Sequence, residues 1–255
     1  MTKRKKITLF SNLCIATILI GLGIAVFTVD LGAVFISVGA PVRNGSRTDS
    51  NISFMFVLED DAKYVPEIVA MLRDTNTPAT FFVGGNWASK NRDKVKLIAE
   101  TPCLELGNHA FTNRNLASMK EKEQNAEIVN CHSIVKMITS SAITGSEVEN
   151  GEDGDEIESR SGLEMNLFLP PNASFNKRTL RSAERNGYRT VIWSRNATDT
   201  KTLYNDAMRD VRAGDLILMR PNLSTYTFLS DALIKKSYEK LGLGIASVGD
   251  NLKPY

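Results

Sequence analysis

From residue 52 onward the apolar positions fall into two alternating rhythms. Short, nearly unbroken apolar runs read as buried strands: "ISFMFVL" (52–58), "ATFFVGG" (79–85), "CLELGNHA" (103–110, a strand running into a loop), "RTVIWS" (189–194), "GDLILMR" (214–220) and "GIASVGD" (244–250). Between them lie longer stretches with apolar residues at helical spacing, over 63–76, 91–102, 118–139, 176–188, 203–213 and 229–242. Strands separated by helices of this length imply parallel βαβ units, because a parallel neighbour needs a crossover connection. The pattern therefore predicts one α/β domain over residues 52–250, open or barrel-like.

Three segments break the rhythm. Residues 7–29, "ITLFSNLCIATILIGLGIAVFTV", are 23 positions without a charge, enough for a bilayer-spanning helix. Four bases precede them, so the reading is a basic cytoplasmic tip (1–6), an uncleaved anchor and a domain outside the cell membrane. A cleaved signal peptide is the alternative, although its apolar core is usually only about 7–15 residues long. Residues 30–51 then read as a linker, since "APVRNGSRTDSN" is rich in turn formers. Finally, 144–164 carries seven acids and no base between Glu147 and Glu158, which predicts a disordered, solvated insertion rather than a calcium loop.

Composition narrows the function little. Apolar residues make up 42% and charged residues 24%, ordinary for a globular domain, and a net charge of +2 with no basic face argues against nucleic acid as a partner. Three cysteines offer no metal-ligand spacing; Cys103 and Cys131 could form a bridge or remain two structural thiols. The two histidines are His109, at a strand end beside Asn108, and His132, in the middle of a predicted helix.

Five phrases carry a resemblance: "DAKYVPEIVAML", "TPATFFVGGNWASKN", "LELGNHAFTNRNL", "FLPPNASFNKRTLRSAERNGYRTVIWS" and "AGDLILMRP". In this order they resemble the polysaccharide deacetylase (NodB-homology) family, whose members remove acetyl groups from polysaccharides. The resemblance implies a distorted (β/α) barrel with its site at the C-terminal ends of the strands. It also implies a divalent metal, usually zinc, held by an Asp and two His, with an Asp as general base, an Arg orienting that base and a His as general acid.

Residue by residue, this chain departs from that machinery. At the motif Thr-Phe-Asp-Asp-Gly-Pro the register places Val57 where the base stands and Leu58 where the metal carboxylate stands. In His-Ser/Thr-x-x-His, His109 is kept and the second His is Asn113. Leu169 takes the place of the base-orienting Arg, Asn196 that of an Asp, and Arg220 that of the acid His. An arginine stays protonated and cannot cycle a proton. The expectation is thus a catalytically inactive deacetylase-like domain with no metal cofactor, binding cell-wall glycan or an envelope protein. Glu59, Asp60, His109, Asn113 and Asp199 are its candidate ligand-binding residues. One alternative is an active metal-dependent deacetylase with a rearranged centre built on Glu59 or Asp60; another is a scaffold without glycan affinity.

Overall fold

The computed structural model describes residues 39–143, 165–234 and 237–252. The expected anchor over 7–29 and the acidic insertion over 144–164 lie outside the described residues. Among the described residues, no helix is long and apolar enough to cross a membrane.

The elements are β1 (Asn51–Leu58), α1 (Val65–Asp74), β2 (Ala79–Val83), α2 (Gly85–Lys90), α3 (Arg92–Ala99), β3 (Leu104–Asn108), α4 (Glu121–Ile143), β4 (Leu167–Phe168), α5 (Lys177–Arg185), β5 (Arg189–Thr190), β6 (Arg195–Asn196), α6 (Leu203–Met208), β7 (Leu216–Met219), α7 (Leu223–Ile234), β8 (Gly244–Ile245) and α8 (Val248–Asn251). Every strand pairing is parallel, in the order β5-β4-β3-β2-β1-β7-β6, with β8 added alongside β1. The sheet curls into a partial barrel, so the βαβ reading and the barrel class both hold.

Strand alternation sorts the core into two layers. Phe54, Phe56 and Leu58 of β1 point outward and pack with Phe81, Val83, Ile68, Val95 and Ile128 under the helices. Met55 and Val57 point inward and join Phe82, Leu167, Leu169, Leu216 and Leu218 in the barrel interior. Each such fully buried large side chain contributes about 1.5–3 kcal/mol relative to exposure. Gly107 makes room in that interior: a Cβ there would sit 2.5 Å from the Phe82 ring.

Several expected elements shift. The run at 189–194 forms only the short β5 before the backbone leaves the sheet, and β6 follows separately at Arg195–Asn196. Such short pairings suit a place where the chain passes from one edge of the curled sheet to the other. The last helix starts at Leu223 rather than 229, because Asn222 Oδ1 accepts a bond from Thr225 N, 2.9 Å, and starts the turn. The expected strand at 244–250 is two residues of β8 followed by α8, capped by the Ser247 hydroxyl. α8 closes the floor: Val248 and Leu252 enter the interior layer, Val248 N donates to Thr80 Oγ1 and Asn251 Nδ2 to Ser53 Oγ. Cys103 and Cys131 are free thiols; burial pushes the Cys131 thiol up to about 12, consistent with an inert core group.

The end of the expected linker is part of the domain. Val42 bridges Val191, Asn44 bridges Asp215, and Arg47 reaches the buried Asp215 carboxylate at 3.3 Å and the Ala213 carbonyl at 2.6 Å. Gly214 permits this strap. Its φ is +79°, and a Cβ there would lie 2.7 Å from Gly45 O and 2.8 Å from Ser46 O. We expect Gly214→Ala to destabilise the domain by roughly 1–3 kcal/mol, from the left-handed penalty plus the clash. Urea unfolding of wild type and variant checks this; unchanged stability would show that the strap is not fastened there.

Candidate functional site

The C-terminal ends of β1, β3, β4, β6 and β7 surround a cavity of about 220 Å³ lined by Val57, Glu59, His109, Leu169, Asn172, Trp193, Asn196, Thr198, Leu218 and Arg220. A larger cavity, about 410 Å³, lies at the other end of the strands between the Thr75–Pro78 turn and Leu243–Ile245. It holds no comparable convergence of titratable groups, and ligand sites of barrel folds sit at the C-terminal ends. The smaller cavity is therefore the candidate site.

His109 is held through its backbone N–H and its Nδ1. Its own N–H donates to Val83 O at 3.0 Å. The preceding Asn108, fully buried, donates from Nδ2 to Ile128 O and accepts from Ala110 N through Oδ1, at 2.9 and 2.8 Å. The loop that follows is anchored on Glu127 of α4, which accepts from Thr112 N at 2.6 Å and from Thr112 Oγ1 at 2.9 Å. The imidazole Nδ1 lies 2.7 Å from Leu169 O. A carbonyl only accepts, so Nδ1 carries the hydrogen and Nε2 faces the cavity. Metal-ligating histidines have this posture.

Glu59 occupies the space opposite. β1 ends at Leu58, and the alternation that turns Met55 and Val57 inward brings Glu59 inward too, leaving its side chain only 6% exposed. Its Oε2 is 3.5 Å from His109 Nε2, close enough for ion pairing but too long for a good hydrogen bond, and Nε2 has no hydrogen-bond partner. The other oxygen, Oε1, pairs with the Arg220 guanidinium, which also bonds Asp60 Oδ2 at 2.6 Å. Burial pushes the Glu59 carboxyl up, but the adjacent His109 ring and Arg220 guanidinium outweigh it and hold the group below its ordinary value.

The loop after β4 forms another wall. Asn172 and Ala173 are consecutive left-handed residues, φ 54° and 51°, a conformation that disfavours alanine. The loop is kept in shape by Asn172 Nδ2 donating to Asn113 Oδ1 at 3.0 Å and by Asn176 Nδ2 donating to Ala117 O at 2.9 Å. Asn176 also starts α5 with a capping box, accepting from Arg178 N and Thr179 N.

The expected site residues thus separate into two groups. Val57, Glu59, His109, Leu169, Asn196 and Arg220 meet at the cavity. Leu58 turns into the helix-side core, Asn113 is exposed and tied to Asn172, Asp60 stands outside the lining, and Asp199 is exposed and accepts from Lys201 N. His132 bonds the Tyr188 hydroxyl, away from the site. Trp193, Thr198, Asn172 and Leu218 line the cavity without having been singled out; counting inward positions along "LILMR" places Leu218 and Arg220 on one face, which was the available signal. Among the described residues, no three His, Cys, Asp or Glu side chains converge in a way that could hold a metal ion. One imidazole and one carboxylate already paired to a guanidinium do not fit a zinc centre.

The family model for polysaccharide deacetylase matches residues 46–152. The chain is 24% identical over 205 residues to the uncharacterised protein YlxY of Bacillus subtilis, covering 78% of this chain but only 57% of that protein's length. A peptidoglycan-N-acetylglucosamine deacetylase of Bacillus cereus is 23% identical over 202 residues, 76% of this chain and 84% of that one. Among solved structures, a CE4 family pseudoenzyme from Bacillus anthracis superimposes with a TM-score of 0.70 at 21% identity, covering 84% of this chain and 69% of the other. A mutant of that pseudoenzyme, with restored enzymatic activity, matches with the same score.

The ion pair can be tested directly. Glu59 carries a folded-state value below its ordinary 4.5, so the pairing stabilises above that pH and loses its contribution as pH falls through the folded value. Arg220→Gln should cost roughly 1–3 kcal/mol at pH 7, discounted for Arg220 being 38% exposed. The difference from wild type should shrink at an acidic pH below that lowered folded value, where Glu59 is protonated. Urea unfolding at the two pH values checks it; a penalty independent of pH would remove the ion pair from the explanation.

Proposed function

The chain belongs to the polysaccharide deacetylase family, and from that premise we propose that its domain keeps the family's binding groove without the family's reaction. One observation carries this: the cavity between His109 and the β1 end is lined by the Glu59–Arg220 ion pair and walled by Val57, Leu169 and Leu218. A bound zinc would polarise an acetyl carbonyl and activate water, and it needs about three protein ligands to remain in place. Val57 has no lone pair with which to take a proton, and Leu58 faces the wrong core. Arg220 cannot return a proton to a leaving amine. The guanidinium instead supplies, covalently attached, the positive charge that this end of the barrel still needs beside a buried carboxylate. The rearranged-centre reading is weaker, because Asn113 and Asp60 are engaged elsewhere.

The proposed role is recognition of cell-wall glycan, with Trp193, Asn172, Asn196 and Thr198 offering an aromatic wall and polar groups of the kind that sugar sites use. The full chain, purified and assayed for bound metal and for acetate release from N-acetylated glycan oligomers, should hold far less than one zinc per molecule and show no turnover. The variant Val57→Asp, Leu58→Asp, Asn113→His, Leu169→Arg, Arg220→His should gain metal. Stoichiometric zinc with metal-dependent acetate release from wild type would overturn the proposal. A scaffold without glycan affinity would instead show no retention on insoluble cell wall.

We also propose a single anchor over residues 7–29 with the domain outside the cell, on the strength of the 23 uncharged positions behind four bases. The full chain should resist alkaline extraction from membranes, with its domain open to protease added outside; extraction into the soluble fraction would refute the anchor.

A further inference from the structure

One helix face beside the groove carries charge that the cavity does not use. α5 reads KRTLRSAER, four bases against one acid, and it buries Thr179, Leu180, Ser182 and Ala183. The bases are therefore turned outward together: Lys177, Arg178 and Arg185 are exposed, Arg181 is half-buried, and positions 177, 181 and 185 form one row at four-residue spacing. A net charge of +2 conceals this face, because the helix gathers bases that the linear pattern leaves apart, so the expectation of a chain without a basic face does not hold on α5.

Arg185 is answered by Glu121 Oε1 of α4 at 2.9 Å. Among the described residues, the side chains of Lys177, Arg178 and Arg181 make no hydrogen bond or ion pair. The arrangement does not serve the helix itself. Like charges four residues apart repel one another, and bases in the first turn oppose the positive end of the helix dipole, where acids are favoured and α5 has none. An anion laid along the row would relieve both strains. The row also starts at the rim of the candidate site: Leu169 and Asn172 line the cavity, and the same loop runs on to Asn176, which bonds Ala117 O and caps α5.

The ligand follows from the spacing. The row covers about 12 Å of helix, with its bases roughly one turn apart, and arginine forks match phosphate oxygens two at a time. A glycan with one carboxylate per disaccharide sets its charges two sugar rings apart, farther than one helical turn. A polymer joined by phosphodiesters carries a charge in every link. A lipid surface fits less well, because the large exposed apolar side chains among the described residues are Val129, Met137, Tyr204, Leu223 and Leu241, none of them on α5. A nucleic-acid strand also fits less well, since α5 has no aromatic ring on which bases could stack. We infer that the α5 face binds a linear polyol phosphate, a chain of alcohol units joined by phosphodiesters, alongside the groove. This surface is separate from the cavity and does not require that the cavity bind sugar.

The test is calorimetric titration of the full chain, in neutral detergent, with a glycerol phosphate oligomer, an oligogalacturonate and a single-stranded oligonucleotide of equal charge. The glycerol phosphate oligomer should bind at least about tenfold more tightly than the other two, and its affinity should fall roughly tenfold or more between about 50 and 200 mM salt, as contact with about three phosphates requires. The variant Lys177→Gln, Arg178→Gln, Arg181→Gln should lose at least about tenfold in affinity with its urea midpoint unchanged or raised, since glutamine is a good helix former. Should that variant unfold, Arg178→Gln alone supplies the reading, with a smaller loss. Lys90→Gln, Arg92→Gln, Lys240→Gln removes the same charge from exposed positions elsewhere and should lose no more than about threefold. Absence of binding, an equal loss in both triple variants, or binding of either comparison polymer as tight as that of glycerol phosphate overturns the inference. The neutral N-acetylglucosamine tetramer, titrated in parallel, should respond to none of these variants, so the groove reading stands or falls separately.

Discussion

A carboxylate with 6% of its side chain exposed cannot stand alone in a protein interior, and the architecture of this site follows from what surrounds Glu59. Strand alternation turns it inward, and among the described residues Arg220 brings a guanidinium to the same cavity lining. The guanidinium lies in the cavity wall with Asp60 on its other side, and His109 Nε2 faces the Glu59 oxygen that Arg220 does not contact. Each substitution relative to the family pattern is consistent with this arrangement. Leu169 and Val57 both continue the apolar interior formed by Met55 and Phe82.

The scaffold around the site is held by a dense set of hydrogen bonds. His109 Nδ1 bonds the Leu169 carbonyl, Asn108 locks the backbone beside it, and Glu127 ties down the loop. Two left-handed residues, Asn172 and Ala173, persist in a loop where an alanine pays for that conformation, held by the hydrogen bonds from Asn172 to Asn113 and from Asn176 to Ala117.

The parallel βαβ class and the strand ends that meet at the cavity were legible in the chain because both rest on local signals. The runs at 52–58 and 79–85 announce central parallel strands, and the phrase order marks where each site residue should stand. What was not legible depended on direction rather than identity. Leu58 was aligned with a metal carboxylate, yet parity sends it toward Ile68 and the helices, while Glu59 takes the inward place. Trp193 lies just past β5, where the backbone has already left the sheet, so the pattern that made 189–194 look like one strand concealed its turn into the cavity. The strap at 42–47 was read as a linker because polar, turn-forming residues look alike whether they hang free or are pinned by an Asp215 several strands away.

That strap has a mechanical meaning. Whatever precedes Gly39, a pull on the chain reaches the domain first at Val42, Gly45 and Arg47, whose bonds run to Thr190, Gly214 and Asp215. Tension would therefore be carried by the β5 edge and the start of β7, and spent on unzipping a few peripheral bonds before it could distort β1 or β3. The cavity lined by Glu59 and His109 is thus set apart from the points where a pull on the N-terminal side would first be felt.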